Sequence, residues 1–268
     1  MGQLLPTTLH QTFLLSRHVQ SYPILRTPRS CLSQRPIGLL LAVKSWAGHG
    51  ERRAAVRETW GREQAGRGGG AAWDFRESFF NVTLKELLFW RWFRQDCPAA
   101  LYVLKADDDV FVDVPRVLAL LRRQPGPARP LYLGRAFVGT YPVRQLWSKY
   151  YVPASLYPSV PYPPYLGGGG YLVSRETIRL FLGASAAVPL FPIDDAYVGM
   201  CAQVANVSAT HHRGFLPFEF SPSLPPCSYT GALVLHRLEP RDLHLLWGFY
   251  RSQGHACPTQ EALSLNEE

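Results

Sequence analysis

Short apolar runs and helix-spaced apolar positions take turns along this chain, and the exchanges mark its elements. Residues 36–45 hold a run of about seven apolar positions, the length of a buried strand. Residues 51–61 follow at helical spacing and stop at Gly61, a residue suited to a helix end. Residues 62–72 lose all periodicity and become a Gly/Arg-rich link. Leu84, Leu87, Leu88 and Trp92 then recur on one face of a helix that Cys97-Pro98 stops. A second buried strand over 101–106 runs straight into Asp107-Asp108-Asp109. Val114, Val117, Leu118 and Leu121 mark another helix, with Asp113 ahead of Pro115 as its N-cap candidate. Residues 131–134 read as a strand. Residues 139–164 turn to Tyr and Pro, and Gly167–Gly170 opens into the apolar residues 171–174. A helix is expected after Asp194-Asp195, a strand over 232–236, and a closing amphipathic helix over 240–250. Apolar runs interleaved with helical patterns read as an α/β fold.

Composition narrows the class. A chain of 268 residues is one large domain or a domain and a half, and 47% apolar with 18% charged residues excludes global disorder. The net charge of +8 is carried mostly by Arg, with Lys44, Lys85, Lys105 and Lys149 the only lysines. Arg grips phosphate bidentately, so anionic partners are expected. The basic residues are spread rather than run together, which argues against nucleic acid as a partner. Five cysteines without a C-x-x-C pair make a zinc or thioredoxin-type site improbable; they allow one or two disulfides and a leftover thiol. Sequons at Asn81 and Asn206 fit a lumenal or secreted address, although Asn81 also suits a helix cap. Residues 1–36 read as a stem or poorly ordered lead-in and 251–268 as a tail, with neither an anchor nor an export signal visible.

The chemistry concentrates at a few places. Three adjacent carboxylates at the end of a buried strand need solvent, hydrogen bonds or a cation. In an open α/β sheet, ligands gather at that end of the strands. Carboxylate oxygens suit Mg²⁺ or Mn²⁺ shared with substrate phosphates, so a metal–diphosphate site competes with a solvated acidic turn. Arg53 and Arg57 share a helix face that offers either an anion site or a solvated basic surface. The Tyr/Pro stretch suits sugar stacking or loop packing, and the four glycines allow close backbone approach to a ligand without forming a P-loop. Asp194 and Asp195 read as an N-cap pair or as a general base with its neighbour. His236 ends an apolar strand, where a satisfied core histidine is the ordinary outcome.

In order and content, residues 39–45, 51–61, 73–85, 104–112, 148–153, 162–174, 191–201, 212–215 and 233–237 resemble the Golgi β-1,3-glycosyltransferase family, glycosyltransferase family 31. The chain is most similar to its β-1,3-N-acetylglucosaminyltransferase branch. The resemblance implies a GT-A-type, Rossmann-like mixed sheet flanked by helices over residues 37–250, with a donor half to about 135 and an acceptor and catalytic half from about 136. It implies a hexosyltransferase that moves N-acetylglucosamine (or galactose) from a UDP-sugar to the 3-hydroxyl of a galactose-terminated glycan, on glycoprotein or glycolipid, with inversion.

By matching position, Asp109 and His236 would hold Mn²⁺, with Mg²⁺ as the alternative, while Asp107 and Asp108 would face the donor. Arg53 and Arg57 fall on the donor-side basic helix. Lys149, Tyr150, Tyr165, Gly168 and Gly169 fall where donor-sugar and acceptor contacts are built. Asp195 is the expected base, with Asp194 second. The family address is the Golgi lumen as a type II membrane protein, with homo- or hetero-oligomers with other glycosyltransferases among its partners. Two departures stand out: the family's anchor is not visible, and only residues 62–72 fill a stretch where the family places a further core strand. The competing readings are a catalytically silent relative that binds glycans or enzymes, and a basic nucleic-acid binder.

Overall fold

The computed structural model describes residues 22–26, 36–62, 71–75, 77–158 and 160–253. Its strands are β1 (Ile24–Arg26), β2 (Ile37–Lys44), β3 (Ala72–Trp73), β4 (Ala100–Asp107), β5 (Val110–Val112), β6 (Tyr132–Phe137), β7 (Tyr165–Ser174), β8 (Thr210–His211), β9 (Phe215–Leu216) and β10 (Val234–His236). Its helices are α1 (Gly50–Glu58), α2 (Val82–Asp96), α3 (Val114–Leu121), α4 (Arg175–Ala184), α5 (Asp194–Val204) and α6 (Pro240–Gln253). The main sheet has the order β2-β4-β7-β6-β8. β2 runs parallel to β4 and β6 parallel to β8, while β7 is antiparallel to both β4 and β6, so the sheet is mixed as expected. A smaller sheet, β5-β10-β9, stands beside it.

Alternation along the strands sorts side chains onto two faces. Leu40 and Ala42 of β2, Val103 of β4, and Tyr171 and Val173 of β7 join a core with Leu84, Leu87, Trp90 and Phe93 of α2, Ile178 and Phe181 of α4, and Tyr197 of α5. Leu39, Leu41 and Val43, with Tyr102, Leu104, Ala106 and Leu172, join the opposite core with Ala55 and Val56 of α1, Val117 and Leu121 of α3, the small sheet, and Leu243 and Leu246 of α6. By the same parity Lys44, Lys105 and Asp107 fall on the α2/α5 face. That alternation brings charge to the cleft.

Asp113 caps α3, its carboxylate accepting from the Arg116 backbone N–H at 3.0 Å. Gly167–Gly170 lies inside β7, at the centre of the sheet, continuous with the apolar residues 171–174. Neighbours crowd this strand: a Cβ on Gly170 would sit 2.9 Å from the Lys105 carbonyl oxygen. Helix α4 is an element the periodicity reading passed over.

β1 and β3 pair as a separate two-stranded ladder. Cys97 and Cys227 each take part in a disulfide, and Cys201 is a buried thiol. Asn81 occupies the N-cap position of α2 without a side-chain capping bond, whereas Asn206 is exposed in a left-handed turn at φ 52° after α5. Among the described residues no helix is long and apolar enough to cross a membrane. The lead-in, the tail and the Gly/Arg-rich link fall mostly outside the described residues.

Candidate active site

β2 and β4 run parallel in register Lys44↔Asp107, so their carboxyl ends open at one place. β4 ends at Asp107, the chain turns through Asp108 and Asp109, and β5 leaves for the small sheet. There β5 pairs with β10 in register Val110↔His236, which delivers the imidazole to the acidic turn. His236 Nε2 lies 3.3 Å from Asp109 Oδ1. One ligand atom each from Asp107, Asp109 and His236 lies within 4.8 Å of the others, and all three residues are half-buried. The Nδ1 of His236 is buried with no hydrogen-bond partner among the described residues, so this is not the satisfied core histidine of the ordinary reading. Burial works against charge on both groups. Their mutual hydrogen bond and mutual attraction, with Arg52 beside Asp109 and Asp107 beside His236, together outweigh it, holding His236 above and Asp109 below the usual range.

Gly169 makes room for that imidazole. It has φ +87°, and a Cβ there would fall 2.6 Å from the ring carbons of His236. Gly168, at φ +83°, would place its Cβ 2.1 Å from Pro217. The two glycines therefore serve close packing and a left-handed backbone at the edge of the cleft.

α5 enters the cleft from the other side, carrying Asp194 and Asp195 in its first turn, where the helix dipole favours negative charge. Ile193 occupies the N-cap, so neither aspartate caps the helix with its side chain. The two carboxylates are treated very differently. Asp194 Oδ2 accepts from Lys44 Nζ at 2.7 Å and lies 3.4 Å from Lys105 Nζ. Burial alone would raise its pKa, but the two ammonium groups win and hold it well below the carboxylate range. Asp195 makes no hydrogen bond or ion pair among the described residues and is only half-buried. Its carboxylate lies over the backbone of Gly167, where a Cβ would come within 3.0 Å of Oδ2. Burial, then the charge of Asp194, push its pKa up to about 7 against the opposing pull of Lys105 and Lys44.

The two sides are wired together. Lys44 Nζ also reaches Asp107 Oδ1 at 3.2 Å, and Lys105 pairs with Glu86 Oε2 of α2 at 3.0 Å. Glu86 in turn accepts from the Tyr171 hydroxyl at 2.6 Å and from Trp90 Nε1 at 3.1 Å. A continuous chain of alternating charge thus runs from the buried face of α2 to the acidic turn.

The Asp108 side chain is 6% exposed, accepts from His49 Nδ1 at 2.8 Å, and lies 3.7 Å from Arg52. Arg53 is committed to the turn before α1, donating to Ser45 Oγ and to the carbonyls of Trp46 and Ala47. Arg57 is exposed and forms no ion pair among the described residues. On that helix it is Arg52 that faces the turn, 3.3 Å from Asp109 Oδ2. Helical spacing alone could not distinguish these neighbours, because Asp108 and Asp109 choose the facing position. Lys149 lies over the rings of Phe79 and Tyr150 at 5.5 and 4.9 Å, with both Lys149 and Tyr150 exposed. Tyr165 stacks on Phe137 at 5.5 Å near the Asp195 carboxylate.

The residues missed from sequence are His49, Arg52, Lys44, Lys105 and Glu86. Two of the chain's few lysines occupy the exit ends of adjacent parallel strands, and strand parity gives the signal that finds them.

Residues 71–213 match the sequence model of the galactosyltransferase family. The chain is 40% identical to human N-acetyllactosaminide β-1,3-N-acetylglucosaminyltransferase 4 over 281 residues, covering 92% of this chain and 74% of the relative. It is 39% identical to the mouse acetylgalactosaminyl-O-glycosyl-glycoprotein β-1,3-N-acetylglucosaminyltransferase, over 91% of this chain and 73% of that one. The mouse UDP-GlcNAc:βGal β-1,3-N-acetylglucosaminyltransferase 7 is 35% identical, over 90% and 70%.

Proposed function

The chain belongs to the galactosyltransferase family, and we propose that it transfers N-acetylglucosamine from UDP-GlcNAc to the 3-hydroxyl of a galactose-terminated glycan, inverting the anomeric carbon, with Asp195 as the base. The observation that carries this reading is the unequal treatment of the adjacent aspartates. Asp194 is spent on two lysines, while Asp195 is uncommitted, open to the cleft and raised toward neutrality. A general base works best with a pKa near the operating pH, and an inverting displacement needs one carboxylate on the attacking side.

Asp109 and His236, joined by Asp107, would hold a divalent ion. The fit rests on two carboxylates and an imidazole whose ligand atoms lie within 4.8 Å, a donor set that suits Mn²⁺, with Mg²⁺ second. When bound beside a diphosphate, such an ion stabilises negative charge on the departing UDP. The chain's own residues do the rest. Lys44 and Arg52 bring positive charge to the same turn, where diphosphate oxygens would lie. Asp195 accepts the proton of the acceptor hydroxyl at a carboxylate oxygen as the new C–O bond forms and the bond to UDP breaks. The exposed aromatic surface around Tyr150 and the Phe137–Tyr165 stack provide ring faces for the acceptor.

The disulfide-bonded cysteines and the exposed sequon at Asn206 support a lumenal setting in the Golgi, on glycoprotein or glycolipid acceptors. The test is UDP release by the purified chain from UDP-GlcNAc with a galactose-terminated acceptor and Mn²⁺. Release that needs both acceptor and metal, and stops on chelation, is the expected result. Release unchanged by chelator, or none with any UDP-sugar, would contradict it.

A further inference from the structure

Glu86 belongs to the buried stripe of α2, and its two carboxylate oxygens are used separately. Oε1 accepts from the Tyr171 hydroxyl at 2.6 Å and from Trp90 Nε1 at 3.1 Å, and both donors are buried. Two rigid donors on one oxygen fix the plane of the carboxylate, which aims Oε2 at Lys105 Nζ, 3.0 Å away. Lys105 is thus held from three sides: by Glu86, by the Tyr171 ring with its centroid 4.9 Å from Nζ, and by Asp194 Oδ2 at 3.4 Å. Stability alone does not call for this arrangement, because a buried ion pair is commonly no better than an apolar pair of similar volume. The arrangement determines where one positive charge stands relative to two adjacent carboxylates. Asp194 and Asp195 share the first turn of α5, and the charge of Lys105 acts on both. A buried ammonium settles on the anions within its reach. With Glu86 on its far side, Lys105 approaches Asp194 less closely than Lys44 does at 2.7 Å, and Asp195 has no ion pair among the described residues.

We propose that Glu86 is a positioning residue for the transfer reaction: through Oε2 it restrains Lys105 on the α2 side of the cleft, so that the ammonium steadies Asp194 and leaves Asp195 free for the acceptor hydroxyl. The role rests on Asp195 being the base, and Glu86 acts only through Lys105. The groups that face Asp195 are Asp194 of its own helix, Lys44 of β2, Lys105 and Asp107 of β4, Tyr132 of β6, and Tyr165 and Tyr171 of β7. Burial keeps the three phenols neutral. Lys44 is pinned between Asp107 and Asp194, which leaves Lys105 as the positive charge that Glu86 controls.

Carbon-13 NMR of the Asp195 carboxyl, titrated in the metal-free chain and assigned with Asp195→Asn, reads the effect directly, beside the pH profile of kcat. Glu86→Gln keeps an oxygen for Tyr171 and Trp90 but releases Lys105, whose unbalanced charge then favours the ionised form of Asp195. The Asp195 titration is expected to move to lower pH and the acid limb of kcat to follow it. At the same time kcat falls by up to about 10²-fold, the cost of a misplaced reacting group, with the KM for UDP-GlcNAc unchanged. Lys105→Met/Glu86→Leu removes both charges, of which that of Lys105 acts more strongly on Asp195. That variant is expected to move the titration the opposite way, to higher pH. A pair that serves only the core would move neither. An Asp195 titration unmoved in Glu86→Gln overturns the proposal, and so does one unmoved in the double variant where Glu86→Gln does not fold. The carboxyl titration needs no turnover, so a wild-type chain that transfers no sugar overturns the reading of Asp195 as base, whereas unmoved titrations overturn the role of Glu86.

Discussion

Asp195→Asn lowers the rate of sugar transfer by about 10²–10⁴-fold, the range for losing a general base, and leaves binding of UDP-GlcNAc unchanged. The asymmetry follows from the contacts. Asp195 has no hydrogen bond or ion pair among the described residues, so the amide disturbs none of them, and Lys44, Arg52 and the acidic turn stay in place. Asp194→Asn is the instructive contrast, because it removes the anion between Lys44 and Lys105 and so disturbs both sides together. Kinetics that separate kcat from donor affinity distinguish the two. Loss of donor binding in Asp195→Asn would remove it from the role of base. The pH profile carries the same information with a definite sign. Burial and the neighbouring charge of Asp194 raise the pKa of Asp195 to about 7, and only the ionised carboxylate accepts a proton. Transfer by the wild-type chain is therefore expected to fall as pH drops through that region, on a limb that Asp195→Asn lacks.

The second large effect is on stability. Lys105→Met is expected to cost about 3–5 kcal/mol, the range for breaking a buried ion pair from one side. The Lys105 side chain is 7% exposed and that of its partner Glu86 3%. Among the described residues, removing the ammonium leaves Glu86 with only the Tyr171 hydroxyl and Trp90 Nε1, and Asp194 with Lys44 alone. Denaturant unfolding measures the loss. The double variant Lys105→Met/Glu86→Leu should recover much of it, because an apolar pair leaves no stranded charge in the α2 core. A single variant within about 1 kcal/mol of wild type would show that the network is not holding the cleft together.

What was legible in the sequence follows from how local each signal is. The buried strands, the amphipathic helix over α2 and the Asp113 cap are all written within one or two turns of chain, and they stand where periodicity and capping put them. Asp109 and His236 lie far apart in sequence. No spacing rule joins them, and their meeting came from the family resemblance and then from the β5–β10 register. The glycine run gave close approach but not to what: Pro217, His236 and the Lys105 carbonyl each exclude a Cβ, and these neighbours come from distant parts of the chain. Arg52 was passed over for Arg53 because helix spacing shows which residues share a face but not what lies opposite it. Glu86 was hidden for a similar reason. On a helix rich in Leu and Trp a carboxylate looks like a solvent position, and it takes the buried Lys105, Tyr171 and Trp90 to explain why Glu86 points inward.

The proposed reaction is a single displacement, with a departing nucleotide at the Asp107–Asp109–His236 turn and a hydroxyl deprotonated by Asp195 from the opposite side. The anomeric configuration of the product reads that geometry directly. Nuclear magnetic resonance of the disaccharide linkage formed from UDP-GlcNAc and a galactose-terminated acceptor should show N-acetylglucosamine joined in the β configuration to the 3-position of galactose. An α-linked product, or free N-acetylglucosamine with no linkage formed, would contradict it.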